Sequence, residues 1–166
     1  GDGGLALFNG GKEEDVYRID ATLAEAGVKE LPPASALSGR FERVAAGSLV
    51  MLVDVGVPPP AGADRGAHAG PGAIEISVGR DRLIVNCGGY AGDDPRWQLA
   101  MRSTAAHSAA MIDDVNAIAL DERGGFRHGR LRIGTVRREA EGAAWIEVDH
   151  DGYGPRFSSL CRRRLY

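Results

Sequence analysis

Apolar residues near the N-terminus follow a helical spacing. Four of them recur at intervals of three and four residues: Val16, Ile19, Leu23 and Ala26. These intervals place side chains on one face, and Gly27 is of a residue type that commonly ends helices, so the pattern predicts a helix over residues 12–26. Pro32 and Pro33 follow soon afterwards, and since neither has a backbone donor, residues 31–34 are predicted to form a linker.

From Gly47 onward the apolar residues come in short runs that glycine, proline and aspartate separate. Such runs are typical of antiparallel strands joined by turns, and Gly79 to Asp81 has the composition of a tight hairpin turn. The pattern therefore predicts an all-β sandwich or barrel. The predicted strands are residues 48–55, 73–78, 82–87, 108–113, 130–138, 144–149 and 159–166.

The composition agrees with this fold class and excludes several partners. The 166 residues suffice for one domain with a substantial core, and 24 glycines favour turns over long helices. A formal net charge of −3 offers no attraction for nucleic acid or an anionic membrane, and no apolar run approaches the roughly 18 residues that span a bilayer. Cys87 and Cys161 are too few for a disulfide framework, so we expect two free thiols.

Three polar residues lie where predicted strands begin or end. His68 precedes the strand at 73–78, Asn86 lies near the end of the next run, and His107 separates a polar loop from an apolar run. Neutral imidazole is a good ligand for zinc, whereas an amide oxygen is weaker than a carboxylate. Two interpretations stay open from this chemistry. The trio is either a zinc site weakened by Asn86 or a hydrogen-bonded cluster between strands.

Two further segments carry charged or titratable groups. Residues 150–153 bring His150 and Tyr153 together with a carboxylate, a set that can supply a general acid or base, although an Asp-Gly pair is equally common in plain turns. The run Arg162 to Arg164 matches carboxylates and sulfates in bidentate geometry. Alternate residues of a strand face opposite sides, however, so a solvated sheet edge is the favoured interpretation of that run.

Eight segments of the chain, taken in order, resemble one known family, the heparinase II/III-like proteins. These segments are residues 3–10, 39–44, 54–56, 67–70, 74–77, 85–88, 102–108 and 150–153. Members of that family join an N-terminal α-helical toroid to a C-terminal β-sandwich, and they cleave uronic-acid-containing polysaccharides by β-elimination. The resemblance therefore implies an antiparallel, supersandwich-like β-sandwich with one short N-terminal helix, in a polysaccharide lyase.

The same resemblance implies a division of the chain. Residues 1–38 would be a linker and helix at the exit of an absent α-toroid, and residues 39–166 the β-sandwich domain, incomplete at its C-terminus. This part would form one wall of a cleft for an acidic polysaccharide, a heparin-, heparan- or alginate-like glycan, and would be inactive without the toroid. Members of the family are often exported, which points to a periplasmic or secreted location without fixing it.

The resemblance also implies roles for single residues. Arg102 would bind a uronate carboxylate, with His150 and Tyr153 as further substrate contacts. His107, His150 and Tyr153 would be candidates for a share in the proton transfers that β-elimination requires.

Family members with a structural metal bind it through positions that correspond here to His68, Asn86 and His107. Asn86 stands where those members have a carboxylate, which removes a negative charge from the zinc ligands. Gly66 stands where some members have a catalytic histidine, and Cys161 stands where histidine is expected. These departures leave an alternative function, a non-catalytic carbohydrate-binding or structural β-sandwich.

Overall fold

A computed structural model describes residues 2–28, 40–121, 125–127 and 131–166. Helix α1 spans Val16–Glu25, because the Asp15 side chain accepts a hydrogen bond from Tyr17 N at 2.9 Å and caps its first turn. The prediction of residues 12–26 therefore placed the start of this helix too early. The predicted linker at 31–34 lies outside the described residues.

Four antiparallel strands form the first sheet, in the order β1-β2-β3-β4. Their bounds are β1 Phe41–Ala46, β2 Leu49–Asp54, β3 Ile74–Val78 and β4 Asp81–Ile84. The strands predicted at 48–55, 73–78 and 82–87 correspond to the last three of these. Strand β1 was missed, because all its side chains are at least partly exposed and it has no marked apolar run.

Three antiparallel strands form the second sheet, in the order β5-β6-β7. Their bounds are β5 Ile133–Ala140, β6 Ala143–His150 and β7 Cys161–Leu165. These strands correspond to the predictions at 130–138, 144–149 and 159–166, although residue 130 lies outside the described part of the chain. The short helix α3, Gly154–Phe157, connects β6 to β7.

The two sheets share one apolar core. Val53 and Ile74 from the first sheet pack with Ile146 and Val148 from the second, and all four are buried. Burial of apolar surface from both sheets is what holds them together, since it removes that surface from water. The predicted all-β antiparallel sandwich with a short N-terminal helix is confirmed.

The strand predicted at 108–113 was wrong. This stretch is irregular, with a single bridge between Ile112 and Val115, and Asp113 and Asp114 have φ angles of 49° and 55°. Such left-handed backbone cannot continue a strand, so the apolar run turns back on itself.

A second helix lies between β4 and the second sheet, where no helix was predicted. Helix α2 spans Pro95–Arg102, and the short 3₁₀ helix Thr104–Ala106 follows it. The signal was present in the sequence, because Asp94 caps α2 by accepting a hydrogen bond from Arg96 N, and proline is favoured in a first helical turn. None of the described helices is long and apolar enough to cross a membrane.

Candidate functional site

A cleft of about 840 Å³ opens beside the loop that precedes β3. Side chains of both charges line it, among them Lys12, Asp64, Arg65, His68 and Arg102. Asn9, Tyr90 and Gln98 add polar and aromatic groups. A cleft of this size with convergent polar groups is a typical small-molecule or oligosaccharide site.

His68 and His107 form a directly hydrogen-bonded pair at this cleft. Their rings meet edge to face, with 2.9 Å between His68 Nδ1 and His107 Nε2. His107 Nδ1 lies 2.8 Å from the carbonyl oxygen of Ser103, which can only accept, so Nδ1 carries the proton of the neutral ring. His107 Nε2 therefore accepts from His68 Nδ1, and His68 Nε2 is left without a proton.

Burial favours the neutral form of both rings. It lowers the pKa of His68 to about 4, and the charges of His107 and Arg102 act in the same direction. Burial also lowers the pKa of His107, although the hydrogen bond to Ser103 opposes this. Neutral imidazoles can bind a metal ion or accept a proton, whereas imidazolium cannot.

Two backbone features fix the rings. Asn9 Oδ1 accepts a hydrogen bond from His68 N at 3.2 Å, which ties the His68 loop to the N-terminal segment. Gly70 lies beneath His107, where a Cβ would stand 3.0 Å from two ring atoms. A side chain at position 70 would therefore push the His107 ring away from His68. No local pattern in the sequence indicates Asn9 or Gly70, because both contact residues that are distant in the chain.

Asn86 is buried and fully engaged elsewhere. Its Oδ1 accepts from Ser108 N at 3.1 Å, while its Nδ2 donates to Ile74 O and to Glu75 Oε1. A buried amide that is hydrogen-bonded through both its oxygen and its nitrogen is poorly placed to bind a cation as well. Asn86 thus joins β3 to the segment after His107, which fits the hydrogen-bonded alternative for this residue.

Cys87 lies with the histidine pair instead. Ligand atoms of His68, Cys87 and His107 all lie within 4.8 Å of one another, a group that can hold a metal ion. Cys87 is exposed, but its Sγ lies 3.2 Å from the carbonyl oxygens of Gly88 and Met101, and desolvation raises the pKa of this thiol. The cysteine follows Asn86 directly, which is the only signal for it in the sequence.

Arg102 lines the cleft and is also bound within the domain. Its Nε donates to Ala67 O at 2.7 Å and its Nη2 to Asp64 O at 2.9 Å, and its guanidinium lies over the Phe126 ring. Arg102 therefore holds the loop that leads to His68 as well as facing the cleft.

His150 and Tyr153 lie away from Arg102, with Cys161 and Arg163 among the neighbours of His150. The Tyr153 side chain is fully buried, and its hydroxyl donates to Ala110 O at 2.5 Å. His150 Nδ1 accepts from Gly152 N at 3.3 Å, and burial lowers its pKa. Neither His150 nor Tyr153 is among the described residues that line the cleft. Their predicted roles stay predictions.

The N-terminal residues 7–11 are hydrogen-bonded to the first sheet and to the segment that follows it. Leu7 N donates to Glu75 Oε1 at 2.9 Å, and Gly89 N donates to Gly11 O at 2.8 Å. A Cβ on Gly89 would lie only 2.5 Å from Gly10 O, so the two backbones approach as closely as glycine allows. Residues 7–11 are thus bonded to β3 and to the segment after β4.

Two packed antiparallel sheets and a polar cleft beside the β3 loop define a β-sandwich domain. The family model described as "Heparinase II/III-like, C-terminal" matches residues 29–166, and the chain belongs to this family. It is a domain related to polysaccharide lyases.

The chain is also similar to FtsZ-localized protein C of Caulobacter vibrioides (strain NA1000 / CB15N). The two are 30% identical over 170 residues, which cover 92% of this chain and 27% of that protein. The chain thus spans about a quarter of the length of this curated relative. No solved structure matches the chain.

Proposed function

We propose that this domain binds an acidic glycan and forms one wall of the substrate cleft of a polysaccharide lyase. The observation that carries the proposal is the charge of the cleft lining. Lys12 and Arg65 are exposed there, and neither has an ion pair within the described residues. Ammonium and guanidinium groups that lack a protein partner are suited to the carboxylates and sulfates of such glycans.

Hydrogen bonds hold the acidic residues of the lining within the loops around the cleft. Asp64 is buried, and its two carboxylate oxygens accept from Gly62 N and Phe126 N. Asp121 accepts from Gly125 N at 2.8 Å. These carboxylates thus have a role in holding the loops, whereas the exposed side chains of Lys12 and Arg65 are cations that a glycan can reach.

The geometry supports a separate role for each of the site residues. Arg102 remains the proposed contact for a uronate carboxylate, with Lys12 and Arg65 beside it. Without a bound metal, the histidine pair can accept a proton at His68 Nε2, and His107 acts through its hydrogen bond to His68. His150 and Tyr153 already have partners within the domain, which supports a positioning role for them. The resemblance also implies zinc, and we propose that His68 and His107 supply its nitrogen ligands.

A second candidate is a non-catalytic glycan-binding or structural domain. The observation that favours it is the name of the similar Caulobacter protein, which states a localization with FtsZ and no lyase reaction. A glycan-binding domain without catalysis would share binding with the first candidate, and a structural domain would not bind glycan, but only the first candidate predicts cleavage. Incubation of acidic glycans with the protein that contains this domain separates them, because β-elimination creates an unsaturated uronate that absorbs in the ultraviolet.

Replacement of the two exposed cations tests the binding itself. We expect Lys12→Gln combined with Arg65→Gln to raise the Kd for heparin or alginate oligosaccharides by about tenfold, since each exposed charge pair contributes up to about 1 kcal/mol. Isothermal titration calorimetry measures this change. Arg18→Gln combined with Arg80→Gln is the matched control, because it removes the same charge from exposed positions outside the cleft lining. Equal losses in both double variants would contradict the proposed site.

A further inference from the structure

The position of Cys87 follows from the burial of its neighbour. Asn86 points into the protein, where Ser108 and Glu75 bind its amide group. Successive residues of an extended segment point to opposite sides, so Cys87 points the other way, toward the two histidines. The residue that faces the histidine pair after β4 is thus a thiol and not an amide.

The distances suit a tetrahedral ion. Zinc binds nitrogen at about 2.0–2.1 Å and sulfur at about 2.3 Å, which places ligand atoms about 3.5 Å from one another. His68 Nδ1 and His107 Nε2 are 2.9 Å apart, and no ligand-atom pair of the group with Cys87 exceeds 4.8 Å. The spacing that zinc requires lies between these two values.

We propose that Cys87 is the third protein ligand of a metal site with His68 and His107, and that Asn86 is not a ligand. This inference rests on the zinc part of the proposed function. The thiolate supplies the negative charge that Asn86 lacks, and two imidazoles with one thiolate select zinc over magnesium or calcium. Three protein ligands leave one coordination position for water or a substrate group.

The surroundings orient the ligands in advance. The Ser103 carbonyl holds the His107 ring through Nδ1, which leaves Nε2 for the metal, and a partner of this kind is usual for a metal-bound histidine. Binding then proceeds with one net proton released. The His68 proton moves from Nδ1 to Nε2, the thiol gives its proton to solvent, and the metal takes the three freed lone pairs.

Cobalt and zinc titrations of the untagged chain test the assignment. With Co²⁺ we expect a thiolate-to-cobalt charge-transfer band in the near ultraviolet that Cys87→Ser abolishes. Zinc affinity, measured by competition with a chromophoric chelator, should fall by about tenfold or more in Cys87→Ser, since even the loss of an indirect support costs at least that much. Cys161→Ser is the matched control and should keep both the band and the affinity.

A second measurement needs no substitution. Zinc should protect Cys87 from alkylation by iodoacetamide and leave the rate at Cys161 unchanged, as read by mass spectrometry of peptides. Zinc binding that Cys87→Ser leaves intact, without protection of Cys87, would overturn the ligand assignment while retaining the metal. Absence of zinc binding by the unmodified chain would overturn the site altogether. Neither result bears on glycan binding, which the Lys12 and Arg65 variants report separately.

Discussion

Asp54, at the end of β2, is a carboxyl group buried near the cleft. Only 8% of the residue is exposed, and burial raises the pKa of its carboxyl group to about 6, against the opposing hydrogen bonds from Gly56 N and Asn9 Nδ2. An ionised carboxylate in this position therefore lowers the stability of the folded domain.

The pH dependence of unfolding should reveal this cost. In the unfolded chain Asp54 ionises near 3.8, so between about pH 4 and pH 6 the folded state holds a proton that the unfolded state has lost. Its contribution to stability falls as the pH rises across that window and is constant above it. We expect the free energy of unfolding of Asp54→Asn, relative to the unmodified chain, to increase by up to about 3 kcal/mol across the window in urea titrations. A difference that does not vary with pH would refute this.

At the scale of residues, the sequence indicated part of the site. His68 and His107 were both recognised at loop boundaries, and the structure brings them into contact. Cys87 was predicted to be a free thiol. The sequence does not show that the Asn86 side chain points into the protein and that Cys87 therefore faces the histidines. Asn9 contributes through contacts more than 40 residues away, and no local pattern indicates such contacts.

At the scale of elements, strand β7 separates its three arginines as the alternation predicted. Arg163 faces inward, where Nη1 donates to Gly72 O and Ser108 O, each at 2.7 Å. Arg162 and Arg164 face outward and pair with Glu147. Burial lowers the pKa of the inward guanidinium, in keeping with its partial desolvation.

The two kinds of position should differ in their effect on stability. Arg163→Met removes two charge-assisted hydrogen bonds and leaves two carbonyl groups without their donor, so we expect a loss of about 3 kcal/mol in the free energy of unfolding. Arg162→Met on the same strand removes only exposed ion pairs and should cost less than about 1 kcal/mol. Urea denaturation measures both, and similar losses would show that Arg163 has no special role.

The elements that the sequence predicted well are those with a marked apolar pattern. Strand β6 buries Ile146, Val148 and His150 at alternate positions, and its prediction was correct within one residue at each end. Strand β1 buries none of its side chains fully and was missed. The run at 108–113 has the apolar composition of a strand, but its left-handed aspartates follow from contacts that the local sequence does not contain.

At the scale of the whole molecule, one core joins the two sheets, and Ile146 lies fully buried within it. We expect Ile146→Ala to lower the free energy of unfolding by about 3 kcal/mol, through lost burial and the cavity that remains. Val136→Ala on neighbouring β5, where the side chain is exposed, should cost less than about 1 kcal/mol. Both follow from urea denaturation. A single unfolding transition in each variant is expected, and separate transitions for the two sheets would contradict a shared core.

The fold class was predictable at this scale because turn residues recur throughout the chain and interrupt long helices. The pairing of the sheets was not, since residues such as Val53 and Ile146 meet across more than 90 positions of sequence. Resemblance to a family supplied that information where local patterns could not.

Residues 7–11 lie close against the segment after β4, and this contact has a mechanical consequence. Leu7 is bonded to Glu75, Asn9 to the His68 loop, and Gly11 to Gly89, with almost no side chain between the backbones. A short chain held at three points transmits displacement instead of absorbing it. We therefore expect a displacement of residues 7–11 to move both the loop that carries His68 and the residues next to Cys87.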